Sequence, residues 1–229
     1  MCIRDSNIFV DVGAKDKAEV LAMGIHVGCV ITFQDELTVL NDTYYCGRAL
    51  DNRLGGFCIA EVARMLKEKK KKLPYSLYIV NAVQEEIGLR GAEMISNTIK
   101  PHLAIITDVT HDTNTPLVNN KIQGDIKCGL GPVLTYAPAV HNLLLEQVIE
   151  VAEAKKIDFQ RSASSRSTGT DTDAFAYSNG GVPSVLISLP LRYMHTTVEM
   201  AHKKDVESVT QLIYESLLSI KAGQSFKYF

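Results

Sequence analysis

Apolar residues along this chain gather in a few short unbroken runs, with amphipathic stretches between them. Tyr75–Val83 (YSLYIVNAV) is one such run and predicts a buried strand. Leu103–Thr107 and Val185–Ser188 are runs of the same kind and predict two more. The stretches between them have helical spacing. Phe57, Ala60, Val62, Ala63 and Leu66 make the apolar face of a helix that reaches about Glu68. The basic run Lys69–Lys72 closes that helix and complements its dipole. Arg90–Ile95 opens another helix, and a short one leads to about Ser178. Val140–Lys155 and Lys203–Ile220 are amphipathic helices. Strands alternating with helices indicate an α/β layered core with helices on both faces.

The beginning of the chain has a different pattern. Asn7–Val12 alternates like a strand, Asp16–Met23 reads as a short helix and Gly24–Gly28 as a turn. Val30–Phe33 and Thr38–Leu40 are further short strands. Together they predict part of a small β-rich module over residues 1–45, ahead of the layered core over 46–229. Later, Lys121–Cys128 resembles an edge strand and Gly129–Pro132 a turn, its glycines lacking phosphate-loop spacing. Ser162–Asp173 (SASSRSTGTDTD) is a polar loop.

Composition narrows the function classes. A chain of 229 residues can bury a substantial core. A net charge of −2 gives no basic excess for nucleic acid, and no apolar run is long enough to span a membrane. Five cysteines, an odd number with no CxxC pair, argue against a disulfide framework or a thiolate zinc site and suit a reducing cytoplasm. Cys46 and Cys58 read as core fillers. Met1–Asn7 has no apolar signal-peptide core. Its first residues, MCIRDS, fit none of the elements that follow. The expectation is a non-native leader on a chain whose own N-terminal part is absent.

The chemistry starts where the first apolar run ends, at Glu85 and Glu86. Carboxylates at the carboxyl end of a buried strand sit where α/β sheets place their sites. Neighbours at a strand end point different ways, so one glutamate can hold a metal while the other moves a proton. An isolated pair of glutamates is more often solvated surface. Here the pair has company. Asp51 precedes a helix, Asp108 ends a strand, and His195 lies in the loop after one. Such positions can converge on one rim. Three carboxylates and a histidine suit Zn²⁺, Mn²⁺ or Co²⁺. A carboxylate bridging two ions about 3.5–4 Å apart gives a co-catalytic pair. The remaining glutamate then serves as general base, and an amide is cleaved without a serine or cysteine nucleophile. Each residue also has a plainer role. Asp51 and Asp108 suit helix or turn caps. His195 suits a satisfied loop histidine, and Asp171 an Asx turn as readily as a contact to a peptide's α-amino group. A glycosidase is disfavoured, because its carboxylates must face each other across a sugar and Glu85 and Glu86 are sequence neighbours.

Five motifs in order carry a family resemblance: ALDNRLGG (Ala49–Gly56), QEEIGLRGA (Gln84–Ala92), TDVTHDTNTP (Thr107–Pro116), GTDTDAF (Gly169–Phe175) and GVPSVLISLPLRYMHTTVE (Gly181–Glu199). With them the chain resembles the M42 metallo-aminopeptidases, the glutamyl-aminopeptidase and tetrahedral-aminopeptidase group, from about Ile8 to Leu218. The resemblance implies that Asp51 bridges two Zn²⁺ or Co²⁺ ions. Glu86 and His195 complete one site, Asp108 belongs to the other, and Glu85 is the catalytic base. It implies peptide substrates that lose N-terminal residues. It also implies a cytoplasmic homo-oligomer, from dimer to tetrahedral dodecamer. The fold it implies is a phosphopeptidase-like mixed-sheet α/β sandwich carrying an inserted β-barrel, of which residues 1–45 are the C-terminal part.

One departure stands out. The family's first ligand is a histidine in an H-x-D motif, and none of the six histidines here lies in one. The expectation is therefore a poorly active fragment with one half-site a ligand short. The alternatives are a related metallohydrolase acting on another amide, or an inactive assembly subunit.

Overall fold

The computed structural model describes residues 9–34, 36–116 and 118–227. The chain divides into two compact units, residues 1–35 and 36–229. The described part of the first carries one short helix, α1 (Lys17–Ala22), with Asp16 as its N-cap accepting from the Glu19 N–H. The strand expected over 7–12 falls partly outside the described residues. Residues 9–12 and 30–33 form no strand, and they leave Phe9, Val30, Ile31 and Phe33 exposed.

The second unit runs β1 (Thr38–Leu40), β2 (Tyr44–Gly47), α2 (Leu50–Glu68), α3 (Arg90–Ile99), β3 (Ala104–His111), α4 (Asn120–Gln123) and β4 (Val133–Tyr136). It continues with α5 (Asn142–Lys155), β5 (Gln160–Ala163), α6 (Asp171–Ala176), β6 (Ser184–Arg192), β7 (Glu199–His202) and α7 (Lys203–Ser219). The strands form one open mixed sheet, in the order β1-β2-β7-β6-β4-β5 with β3 added on β6. β6 is the axis. Along one edge it pairs in parallel with the whole of β3, placing Asp108 opposite Ser188. It also pairs antiparallel with β4 at Ile187 and Ser188, and with β7 at Leu191 and Arg192. Pro190 has no N–H to give, and it falls between the stretch paired with β4 and the stretch paired with β7. The strand therefore runs past Ser188, where the sequence pattern alone would end it.

The helices bury stripes against this sheet. α2 buries Leu50, Leu54, Cys58, Val62 and Leu66, one residue every fourth position. Phe57, expected on that face, is instead 55% exposed, because it lies one position off the stripe. Both α2 and α5 pack on α7, which buries Val206, Val209, Leu212, Ile213 and Leu217. α3 and α6 pack on each other, and α6 also rests on β3 and β6.

In the second unit two expected strands are absent among the described residues. Residues 121–128 begin as the single turn α4 and continue as loop, with Asn119 capping the turn through the Lys121 N–H. The Tyr75–Val83 run forms no strand among the described residues. Its start is anchored, since the Tyr75 hydroxyl donates to the Leu217 carbonyl at 2.6 Å. Leu77, Tyr78, Ile79 and Val83 are exposed. An apolar run becomes a buried strand only if a neighbouring strand takes its backbone groups, and none does so here.

Candidate metal centre

The site is assembled from three connecting segments. At the first, β2 passes into α2 through Ala49–Asn52. Asp51 and Asn52 lie within the helix span but have non-helical backbone angles. Asn52, not Asp51, is the working cap. Its Oδ1 accepts from the Gly55 N–H at 2.8 Å, and its Nδ2 donates to the Thr107 carbonyl at 2.8 Å. That arrangement frees the Asp51 carboxylate and ties the start of α2 to β3. Gly55 is required there, because a Cβ would collide with the Asn52 amide.

The second connection is Gln84–Leu89. Gln84 and Leu89 have positive φ, 60° and 57°. The loop closes on itself through Gly88 N–H and Leu89 N–H to the Glu85 carbonyl, both at 3.0 Å, and Gly91 N–H to Val83 O at 2.9 Å. The third is the β6–β7 connection, where His195 has φ 63°. Thr196 Oγ1 donates to Tyr193 O at 2.6 Å and accepts from the Val198 N–H.

These connections bring Asp51, Glu86 and His195 together. Their nearest ligand atoms all lie within 4.8 Å of one another. His195 Nε2 is 3.1 Å from Asp51 Oδ2 and 3.6 Å from Glu86 Oε2. Asp51 is the deepest of the three; Glu86 and His195 line the open side. Carboxylate and imidazole donors at this spacing fit a divalent cation of the zinc or cobalt kind.

Glu85 and Asp171 are half-buried beside this group, and Asp108 is nearly fully buried at 7% exposure. None of the three belongs to the 4.8 Å cluster, yet Glu85 and Asp108 feel its charges. Burial, with Asp51, Glu85 and Asp171 adding repulsion, pushes the Asp108 carboxyl up to about 8; the Val109 N–H, 2.8 Å from Oδ1, opposes this. Burial and then the charges of Asp171, Glu86 and Asp51 push Glu85 up to about 7. Asp51 rises to about 6, from burial first and from Glu86 and Glu199, against the opposite pull of His195. Burial also raises Asp171. Its Oδ1 is buried with no hydrogen-bond partner among the described residues. The loop-stabilising role falls to Asp173, which accepts from the Thr168 and Gly169 N–H groups. Crowded carboxylates with one bare buried oxygen are what a site built around added positive charge looks like.

Two residues of this site were not singled out by sequence reasoning. Asn52 follows Asp51 in the same motif, and its capping signal was credited to its neighbour. Glu199 ends the last motif and is buried at 2% exposure, accepting from the backbone N–H groups of both Asp51 and His195. Its sole sequence signal is an acidic residue between apolar ones at a strand start.

The molecule is thus an open mixed α/β sheet with acidic and imidazole side chains gathered on its connecting loops. The chain belongs to the M42 glutamyl aminopeptidase family, whose model matches residues 3–212. It is 36% identical over 215 residues to a lysyl aminopeptidase of Pyrococcus furiosus, a match covering 94% of this chain and 60% of that protein. Among solved structures it is similar to an aminopeptidase from the archaeon Desulfurococcus kamchatkensis, with TM-score 0.85 and 31% identity, over 93% of this chain and 59% of that one. It is also similar to the Pyrococcus horikoshii TET1 peptidase, which can assemble into a tetrahedron or a large octahedral shell. There the TM-score is 0.76 at 27% identity, over 92% of this chain and 60% of the other. The chain thus spans about three-fifths of the length of these relatives.

Proposed function

We propose that this chain carries the chemical centre of a metal-dependent aminopeptidase that removes N-terminal residues from peptides. The observation that carries the reading is the meeting of Asp51 Oδ2, Glu86 Oε2 and His195 Nε2 beside a second glutamate, Glu85, whose carboxyl is pushed up to about 7. Asp51, Glu86 and His195 would hold one divalent ion, zinc or cobalt. Asp51 and Asp108 would share a second. Bound there, such a cation supplies Lewis acidity that activates water and polarises a peptide carbonyl. Glu85 is the proton carrier: near neutral pH it can take a proton from the attacking water and return it to the leaving amine. Asp171, with its bare buried oxygen, would receive the cationic α-amino group of the substrate and so restrict cleavage to the chain end. Peptides from the cytoplasm are the proposed substrates and a homo-oligomer the proposed assembly, by analogy with the relatives. No helix among the described residues is long and apolar enough to cross a membrane.

The sequence contains no H-x-D motif, so the Asp108 side has one ligand fewer than the family resemblance calls for. The expected result on loading with Zn²⁺ and dialysing is one tightly held ion per chain by elemental analysis, lost in Asp51→Ala. Any cleavage should act on peptides with a free amino terminus and spare their N-acetylated forms. A wild-type chain that retains no ion, or one that cleaves both peptide forms alike, would refute the reading.

A further inference from the structure

We infer that Glu199 is a positioning residue that fixes the spacing of the cation-binding side chains by holding two of their backbones at once. This rests on the metal-centre reading above. Glu199 opens β7 and is buried at 2% exposure. A carboxylate in that position needs strong donors, because an unpaired buried charge is very costly. It finds two. Oε1 accepts from the His195 N–H at 2.7 Å, and Oε2 accepts from the Asp51 N–H at 3.1 Å. The donors are 144 residues apart in sequence, yet their side chains meet at 3.1 Å. One side chain therefore clamps both arms of the Asp51–His195 contact.

The clamp acts where the chain would otherwise drift. His195 and Tyr193 both have left-handed backbone, φ 63° and 57°, which non-glycine residues adopt only when something holds them. Asp51 sits at an irregular helix start, with φ −77° and ψ 109°. A charged acceptor makes stronger hydrogen bonds than a neutral one, and two N–H groups need both of its oxygens. Glutamine has the same shape but one acceptor oxygen, so its NH₂ would face one of the two N–H groups. Aspartate keeps the charge but is one methylene too short to span both. Glu199 touches neither a reacting atom nor an ion. Its effect is on cation affinity and coordination geometry.

The test is a Co²⁺ titration of the full chain followed by visible d–d absorption, with dissociation constants from chelator competition. It compares wild type, Glu199→Gln and Glu199→Asp, with thermal melts by far-UV circular dichroism to confirm folding. The clamp predicts Co²⁺ binding weakened about 10–100-fold in both variants, with an altered d–d spectrum, because supporting partners of metal ligands typically carry that much affinity. Glu199→Asp guards against a folding defect in the uncharged variant, since it keeps the buried charge. A folded variant of either kind that binds Co²⁺ with wild-type affinity and spectrum overturns the clamp and leaves the metal-centre reading standing. A folded wild type that takes up no Co²⁺ overturns both.

Discussion

At the residue scale, the site depends on which neighbour takes which duty. Asn52 takes the cap and Glu199 takes the backbones, so the Asp51 carboxylate is left to face His195. Replacing Asn52 by Ala removes the helix cap and also strips a partner from the Thr107 carbonyl. The expected cost is about 1–3 kcal/mol, read as a lower urea midpoint at unchanged slope. An unchanged midpoint would show that the cap does not hold α2. Glu85 and Glu86 divide duties in the same way. Glu86 points to His195, while Glu85 lies outside the close cluster. Glu85→Gln should keep the bound ion and lower turnover of a free-amine peptide by about 10²–10⁴-fold, the usual share of a general base. Loss of the ion in that variant would move Glu85 from proton carrier to ligand.

At the scale of elements, the loops are aimed by helix starts, and Gly91 shows how. Its N–H donates to Val83 O at 2.9 Å, and a Cβ would press on the Val83 backbone, at about 2.5 Å from its nitrogen. Gly91→Ala must push the Gln84–Glu86 segment away from Asp51 and His195. Weaker Zn²⁺ binding is expected even though residue 91 touches no candidate ligand, with the ion count after dialysis as the readout. Wild-type ion retention would mean that the loop is aimed by something else. Gly91 illustrates what was legible in the sequence. Helix periodicity placed α2, α5 and α7, the apolar runs placed β3 and β6, and the motifs held the residues of the cluster. Less was legible where partners decide. The four-residue strands β4, β5 and β7 have too few alternations to register as a pattern, and they exist because β6 pairs with them or their neighbours. The Tyr75–Val83 run has strand composition but no strand partner among the described residues, and composition alone does not reveal that.

At the scale of the whole molecule, the acid cluster links cation binding to the stability of the fold. Asp108, Glu85 and Asp51 are raised to about 8, 7 and 6 from ordinary values of 3.8, 4.5 and 3.8. Well below those ordinary values each group is protonated in both the folded and the unfolded chain and contributes nothing. Between the two values the folded chain holds more protons than the unfolded one. Stability must therefore fall as pH rises across that interval, and the fall is complete only above about pH 8, once Asp108 has ionised in the folded chain as well. In chelator, the melting temperature should decline from pH 5 to pH 8. Asp108→Asn should remove much of the decline and raise the melting temperature at pH 8, because its neutral amide has no charge to bury. A divalent cation reverses the sign. It binds the ionised cluster of the folded chain, so its stabilisation grows with pH as protons cease to compete. The gap between melts with Zn²⁺ and with chelator should thus be small at pH 5 and widen toward pH 8. A gap that is constant across this range, or a metal-free chain that grows more stable as pH rises, would mean that the carboxylates are neither crowded nor waiting for positive charge. The widening gap is the outcome that places the cost of burying these acids, and its relief, in the same few residues.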